Sequence, residues 1–226
     1  LQTDTPSRTG RKPVDARVRE ALGLAVDRAA ISNFLLQRRG TPASGLLPQW
    51  LTGYEFMFPG NSDLARAREL RADAAAYVVI NQVMLAYDAT DPLAKLVAER
   101  IAVNARDAGI VVQPYAESHL YSKATRVSIN ADAVLLILPL PSVEPSIALA
   151  TLANELGFSA ESAPAILGAT RPEDLLAIER KLLEDHRVIP VAHLPEALWL
   201  NSNVHNWQQL PTGAWQLDQL WVEGVR

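Results

Sequence analysis

The chain has 226 residues, a formal net charge of −4, 49 % hydrophobic and 20 % charged residues; this fits one or two globular domains and excludes fibrous or disordered classes. An acidic balance offers no basic footprint for nucleic acid or an anionic membrane, and the lack of cysteine excludes disulfides, thiolate catalysis and cysteine-ligated metals. The longest uncharged apolar stretches, residues 74–87 and 133–143, are too short for a transmembrane helix of about 20 residues.

Residues 1–12, rich in Thr, Ser, Arg and Gly, read as a flexible lead-in with no signal-peptide pattern. Because Leu1 is not an initiator methionine, a mature or excised fragment is expected, with order from Pro13. Asp15 stands as an N-cap before Val18, Leu22 and Val26, which recur at helical spacing and predict a helix to about Val26. Asp27 caps a second helix, with Ile31, Phe34 and Leu35 on its buried side and Gly40 as its stop. Between Gly40 and Gly60 the density of Gly and Pro excludes regular structure, yet Leu46, Leu47, Trp50, Tyr54, Phe56 and Phe58 predict a loop packed onto something.

Residues 63–75 have helical composition, and residues 77–86, rich in Val, Ile and Tyr, predict a strand buried on both faces. Asp91 as cap, Pro92 at the first helical position, the stripe Leu93, Leu96, Val97 and Ile101, and Gly109 as stop predict a helix, followed by a strand at 110–112. Residues 77–113 thus form a strand–helix–strand unit of parallel-crossover length. Residues 133–138 predict a further buried strand, 146–156 and 172–185 helices, and 188–194 a strand interrupted by Pro190. The alternation predicts an α/β layer architecture, with the four strands in one core sheet. After Leu198 the texture becomes polar, and Trp199, Trp207, Trp215 and Trp221 suit a core or an interface equally.

No phosphate loop, dinucleotide fingerprint, nucleophile elbow or zinc-protease motif occurs. His119, His186, His193 and His205 have no metal-binding spacing, and His193 in its strand reads as a hydrogen-bonded or surface histidine. Asp88 and Asp91 read as capping carboxylates, Glu184 and Asp185 as a solvated pair, and Ser44 as a turn serine. No catalytic residue, metal site or cofactor is predicted.

Several stretches together resemble one family. Residues 13–31 (PVDARVREALGLAVDRAAI), 40–54 (GTPASGLLPQWLTGY), 91–112 (DPLAKLVAERIAVNARDAGIVV), 182–195 (LLEDHRVIPVAHLP) and 204–221 are similar, in order, to the later lobe of family 5 extracellular solute-binding proteins. These are the dipeptide-, oligopeptide- and nickel-binding components of ABC importers. The resemblance implies one lobe of a two-lobed periplasmic-binding-protein-like fold, with a central mixed sheet flanked by helices. Its domains would be a lead-in at 1–12, an α/β ligand-binding lobe at 13–200, and a Trp-rich segment at 201–226 returning toward a first lobe outside this chain.

The implied function is non-enzymatic binding of peptides or a related small solute by clamshell closure, in the periplasm or outside the cell, with an ABC permease as partner. A metabolite-sensing lobe of a regulator and an unrecognised hydrolase are the alternatives. Peptide-binding members carry a Trp, an amine-pairing Asp and an Asp-Pro after the strand at 133–138. Here Leu138 takes the tryptophan position, Pro141 the aspartate position, and only Glu144-Pro145 matches in kind. Because ligands gather outside the carboxyl ends of strands in open α/β sheets, the expected ligand contacts are Trp50, Tyr54, Leu138, Leu140, Ser142 and Glu144. Without a first lobe beside it, the Trp-rich segment is expected to fold back, stay mobile or pair with a second chain, the last giving self-association through the C-terminal segment.

Overall fold

The computed structural model describes residues 13–53, 58, 61–76, 82–195, 199–209 and 215–224. The lead-in at 1–12, Tyr54, Phe56 and the first part of the predicted strand at 77–81 lie outside the described residues.

Helix α1 (Ala16–Ala25) starts where Asp15 accepts a hydrogen bond from the Arg17 amide, 2.9 Å away. Its apolar face, Val18, Ala21, Leu22 and Ala25, is buried against α4 (Leu64–Ala75), which contributes Ala67, Leu70 and Ala74. The small alanines let the two helices approach closely. Both rest on the core sheet. Its central strand β2 (Val83–Asp88) runs parallel to β3 (Val112–Glu117) on one side and to β4 (Ala133–Val134) on the other.

Helix α5 (Pro92–Asp107) is the crossover between β2 and β3 and packs on both strands. Asp91 accepts from the Leu93 and Ala94 amides and Pro92 opens the first turn, as the sequence predicts. Gly109 closes the helix at φ 78°, with the Ile110 amide donating to the Ala105 carbonyl at 2.9 Å. That closure uses Ile110, so the following strand begins at Val112 rather than at 110, and runs through Pro114, which an edge strand tolerates.

The α/β class holds, but the predicted fourth core strand does not join. All described pairings of the core sheet are parallel, and the antiparallel pairings lie in separate two-stranded ladders. Within 188–194 only β5 (Ala192–His193) is a strand, and it pairs antiparallel with β1 (Thr41–Pro42). Pro190 has no N–H to offer a ladder, and its carbonyl accepts from Arg28 Nε at 2.8 Å. Gly40 serves this pairing and not a helix stop, since a Cβ there would sit 2.9 Å from the His193 carbonyl.

The second helix also departs from expectation. Asp27 caps it, accepting from the Ala30 amide, but α2 (Arg28–Ala30) runs into a wider π-helical turn at Ile31–Leu35, closed by the Leu36 amide on the Ile31 carbonyl. The wider turn buries Ile31 and Leu36 and leaves Phe34, predicted to be buried, 79 % exposed. Arg28 is fully buried and donates to the Pro190, Gly23 and Val26 carbonyls, with the Phe58 ring 5.0 Å from its guanidinium.

A second hydrophobic cluster joins α7 (Pro145–Glu155), α8 (Ala163–Leu167) and α9 (Pro172–Leu183) through Ala148, Leu149, Leu152, Ile166 and Leu175. Short helices α3 (Gln49–Thr52) and α6 (Lys123–Ser128) fill connections that the sequence reading leaves irregular. In the Trp-rich segment β6 (Val204–His205) pairs with β9 (Trp221–Val222), and β7 (Gln208–Gln209) with β8 (Trp215–Gln216), as an antiparallel ribbon.

Candidate functional site

The carboxyl ends of the parallel strands gather several polar side chains. Asp88, at the end of β2, accepts from the Thr90 amide and hydroxyl, and these bonds hold its carboxyl below the usual range, helped by nearby His119. Burial pushes the Tyr121 phenol up, a backbone hydrogen bond with Ile137 works against that, and Asp88 and Asp91 push it further up. His119 adopts φ 61° in the turn after β3. Asp88, Asp91, His119 and Tyr121 therefore share one edge; the sequence reading placed the first two there as caps and had no signal for Tyr121, which arrives through the β3–α6 turn.

The strand predicted over 133–138 ends at Val134, and farther along Leu138 packs on the second cluster instead of pairing in the sheet. Leu46 and Leu47, from the loop between β1 and α3, and Leu51, on α3, join that same cluster. Two stretches distant in sequence, each expected to contact ligand, thus share one packing unit. Leu140 is 38 % exposed and Glu144 is exposed, with its amide donating to Ser142 Oγ at 3.0 Å just ahead of Pro145 and α7. Trp50, on α3, is 73 % exposed, which corrects the expectation that the loop's large apolar residues are all packed; Leu47 and Phe58 alone of those six are buried among the described residues. Tyr54 lies outside the described residues.

The loop is held by groups that the sequence reading missed. Glu179 on α9 is fully buried, and its Oε1 accepts from the Leu46 amide at 2.6 Å and the Leu47 amide at 3.3 Å. Burial raises its carboxyl to about 7 against the opposing pull of those two amides. His193 Nε2 lies 3.2 Å from the Leu46 carbonyl, and burial pulls its imidazole below the ordinary value. Glu179 follows the apolar Leu175 and Leu176 at helical spacing, and that burying face was its one sequence signal.

A shallow apolar pocket of about 60 Å³ opens beside β4 and β5, lined by Ile31, Leu36, Leu93, Val97, Leu135 and Leu194. Among the described residues no group of three or more His, Asp or Glu side chains is arranged to hold a metal, and no helix is long and apolar enough to cross a membrane. The site offers apolar surface, backbone groups and isolated carboxylates, which suits non-covalent binding.

No curated protein matches the sequence significantly. The fold is similar to that of the pheromone receptor PrgZ, solved for its mode of peptide binding, at TM-score 0.72 and 17 % identity over 96 % of this chain and 47 % of that one. Listeria monocytogenes OppA bound to peptide matches at TM-score 0.71 and 17 % identity, over 98 % of this chain and 48 % of that one. Staphylococcus aureus NikA in complex with Ni(L-His)2 matches at TM-score 0.68 and 16 % identity, over 88 % and 46 %. The chain spans about half the length of these solved relatives. The model of the bacterial extracellular solute-binding proteins, family 5 middle, matches residues 8–138, more than half of the sequence, and the chain belongs to that family.

Proposed function

We propose that this chain is the ligand-binding lobe of an ABC importer's solute-binding protein, taking peptides or a related small solute by closure against a first lobe. The family consists of binding proteins and not enzymes, so no bond-making step is required. One observation supports the reading: Leu46, Leu47 and Leu51 from the loop at 45–52 and Leu138, which follows β4 in the chain, pack into one cluster although they are distant in sequence. Trp50, Tyr54, Leu138, Leu140, Ser142 and Glu144 are the proposed contacts. With Pro141 where the resemblance puts an amine-pairing aspartate, Glu144 is the exposed carboxylate left to meet a cation, and Trp50 and Leu140 favour a solute with apolar side chains.

The lobe spans residues 13–200, and the ribbon of β6 to β9 belongs to the contact with the first lobe. Trp199, Trp215 and Trp221 are at least half exposed, an apolar surface that needs a partner. A periplasmic or extracellular setting and a permease partner accompany this reading. The test is calorimetric titration of the two-lobed protein with an oligopeptide library. Changing Trp50 and Tyr54 together to Ala should weaken binding at least tenfold; unchanged affinity would remove the loop from the site.

A further inference from the structure

The backbone of Leu46 is held on both sides by ionisable side chains, Glu179 fully buried and His193 half-buried. Its N–H donates to Glu179 Oε1 from α9, and its C=O lies within hydrogen-bond distance of His193 Nε2 from β5. The Leu47 amide adds a second bond to the same Glu179 oxygen, while Oε2 is buried with no hydrogen-bond partner among the described residues. Packing alone does not call for this arrangement, because a buried carboxylate is costly and an apolar side chain of similar volume serves a core as well or better. A fixed backbone does call for it: two elements grip the backbone of one residue on both of its peptide groups, just ahead of α3 and the exposed Trp50.

We infer that Glu179 and His193 are positioning residues for the loop at 45–52, fixing the Leu46 backbone so that α3 presents Trp50 to the solute. This rests on the proposed role of that loop. The surroundings leave Glu179 to dominate. Helices α3, α7 and α8 carry one charged side chain between them, Glu155, which pairs with Lys123 and Arg126. On α9 itself Asp174 pairs with Arg171 at the exposed start, and Glu173, Arg180 and Lys181 are the other charged groups. His193 faces the carbonyl side of the grip. Ionised Glu179 is the strong acceptor for two amides. Once protonated, it accepts more weakly and brings a hydroxyl with no acceptor at Oε2, so the loop loosens.

The chain labelled with 5-fluorotryptophan reports this directly by ¹⁹F NMR, with the Trp50 resonance assigned by Trp50→Phe. In the unsubstituted protein the Trp50 resonance should titrate with a midpoint near 7, and Glu179→Gln should abolish that titration while the Trp207 resonance keeps its position. His193→Phe should shift the Trp50 resonance without removing its titration. A Trp50 resonance indifferent to both pH and Glu179→Gln would overturn the positioning role, and the unsubstituted titration decides even if a variant fails to fold. In the two-lobed protein, Glu179→Gln should weaken oligopeptide binding three- to thirtyfold. If Trp50 responds while affinity does not, the loop's solute role fails and its positioning by Glu179 stands.

Discussion

Two buried charges govern the molecule at the scale of single residues. Arg28 ties the Gly23 and Val26 carbonyls at the end of α1 to the Pro190 carbonyl and lies beside Phe58. Burial lowers its guanidinium to about 10, so it remains charged at neutral pH. Arg28→Ala orphans those carbonyls and should cost about 3–5 kcal/mol by urea denaturation. Glu179 acts on pH dependence. Its folded value, about 7, lies above the ordinary 4.5, so the folded state binds more protons between these values and stability falls as pH rises through that window. The drop is on the order of 3 kcal/mol. His186 and His193, lowered by burial, tilt stability the opposite way below their ordinary value. The difference between the unsubstituted protein and Glu179→Gln isolates the carboxylate: the variant should lack the fall between pH 4.5 and 7, and identical pH–stability curves would contradict this assignment.

At the scale of elements, stability follows local signals. Helix α5 carries its cap, its N-terminal proline and its glycine closure in its own sequence. Asp91→Ala should lose about 1 kcal/mol, and Gly109→Ala, forced to hold φ 78° with its Cβ in ordinary contact with the Arg71 side chain at 3.7 Å, should lose a similar amount, about 1 kcal/mol, through backbone strain. Leu149→Ala, in the second cluster, should cost about 2–5 kcal/mol. Thermal or urea unfolding checks all three. These elements were legible because their determinants are local: Asp15 before α1, Asp91 before α5, and the apolar run of β2; of the apolar run at 133–138 only Ala133 and Val134 pair in the sheet. What was not legible depended on distant partners. Phe34 turns outward because the Ile31–Leu35 turn is wider than an α-helix, a choice set by packing of Ile31 and Leu36 against Val97. Residues 188–191 leave the sheet because Arg28 takes the Pro190 carbonyl. Glu179 and His193 looked like an ordinary helix charge and a strand histidine, and only the fold brings them to opposite sides of Leu46.

At the scale of the whole molecule, the proposed function makes the chain one face of an enclosure. A single lobe offers part of the buried surface and none of the closure, while association still costs about 4–15 kcal/mol in lost freedom. The 226-residue chain should therefore bind oligopeptides no better than about millimolar, roughly −4 kcal/mol, and a micromolar isotherm would show that the lobe is sufficient alone. The ribbon with its exposed tryptophans should make the chain self-associate in sedimentation velocity, and a strict monomer at all concentrations would remove that surface from consideration. Hydrogen–deuterium exchange on the two-lobed protein, with and without bound oligopeptide, addresses the ligand face most directly. Protection on this lobe should fall on residues 44–52 and 138–144. Protection confined to the β6–β9 ribbon or to the apolar pocket beside β5, with the loop unchanged, would place the solute elsewhere.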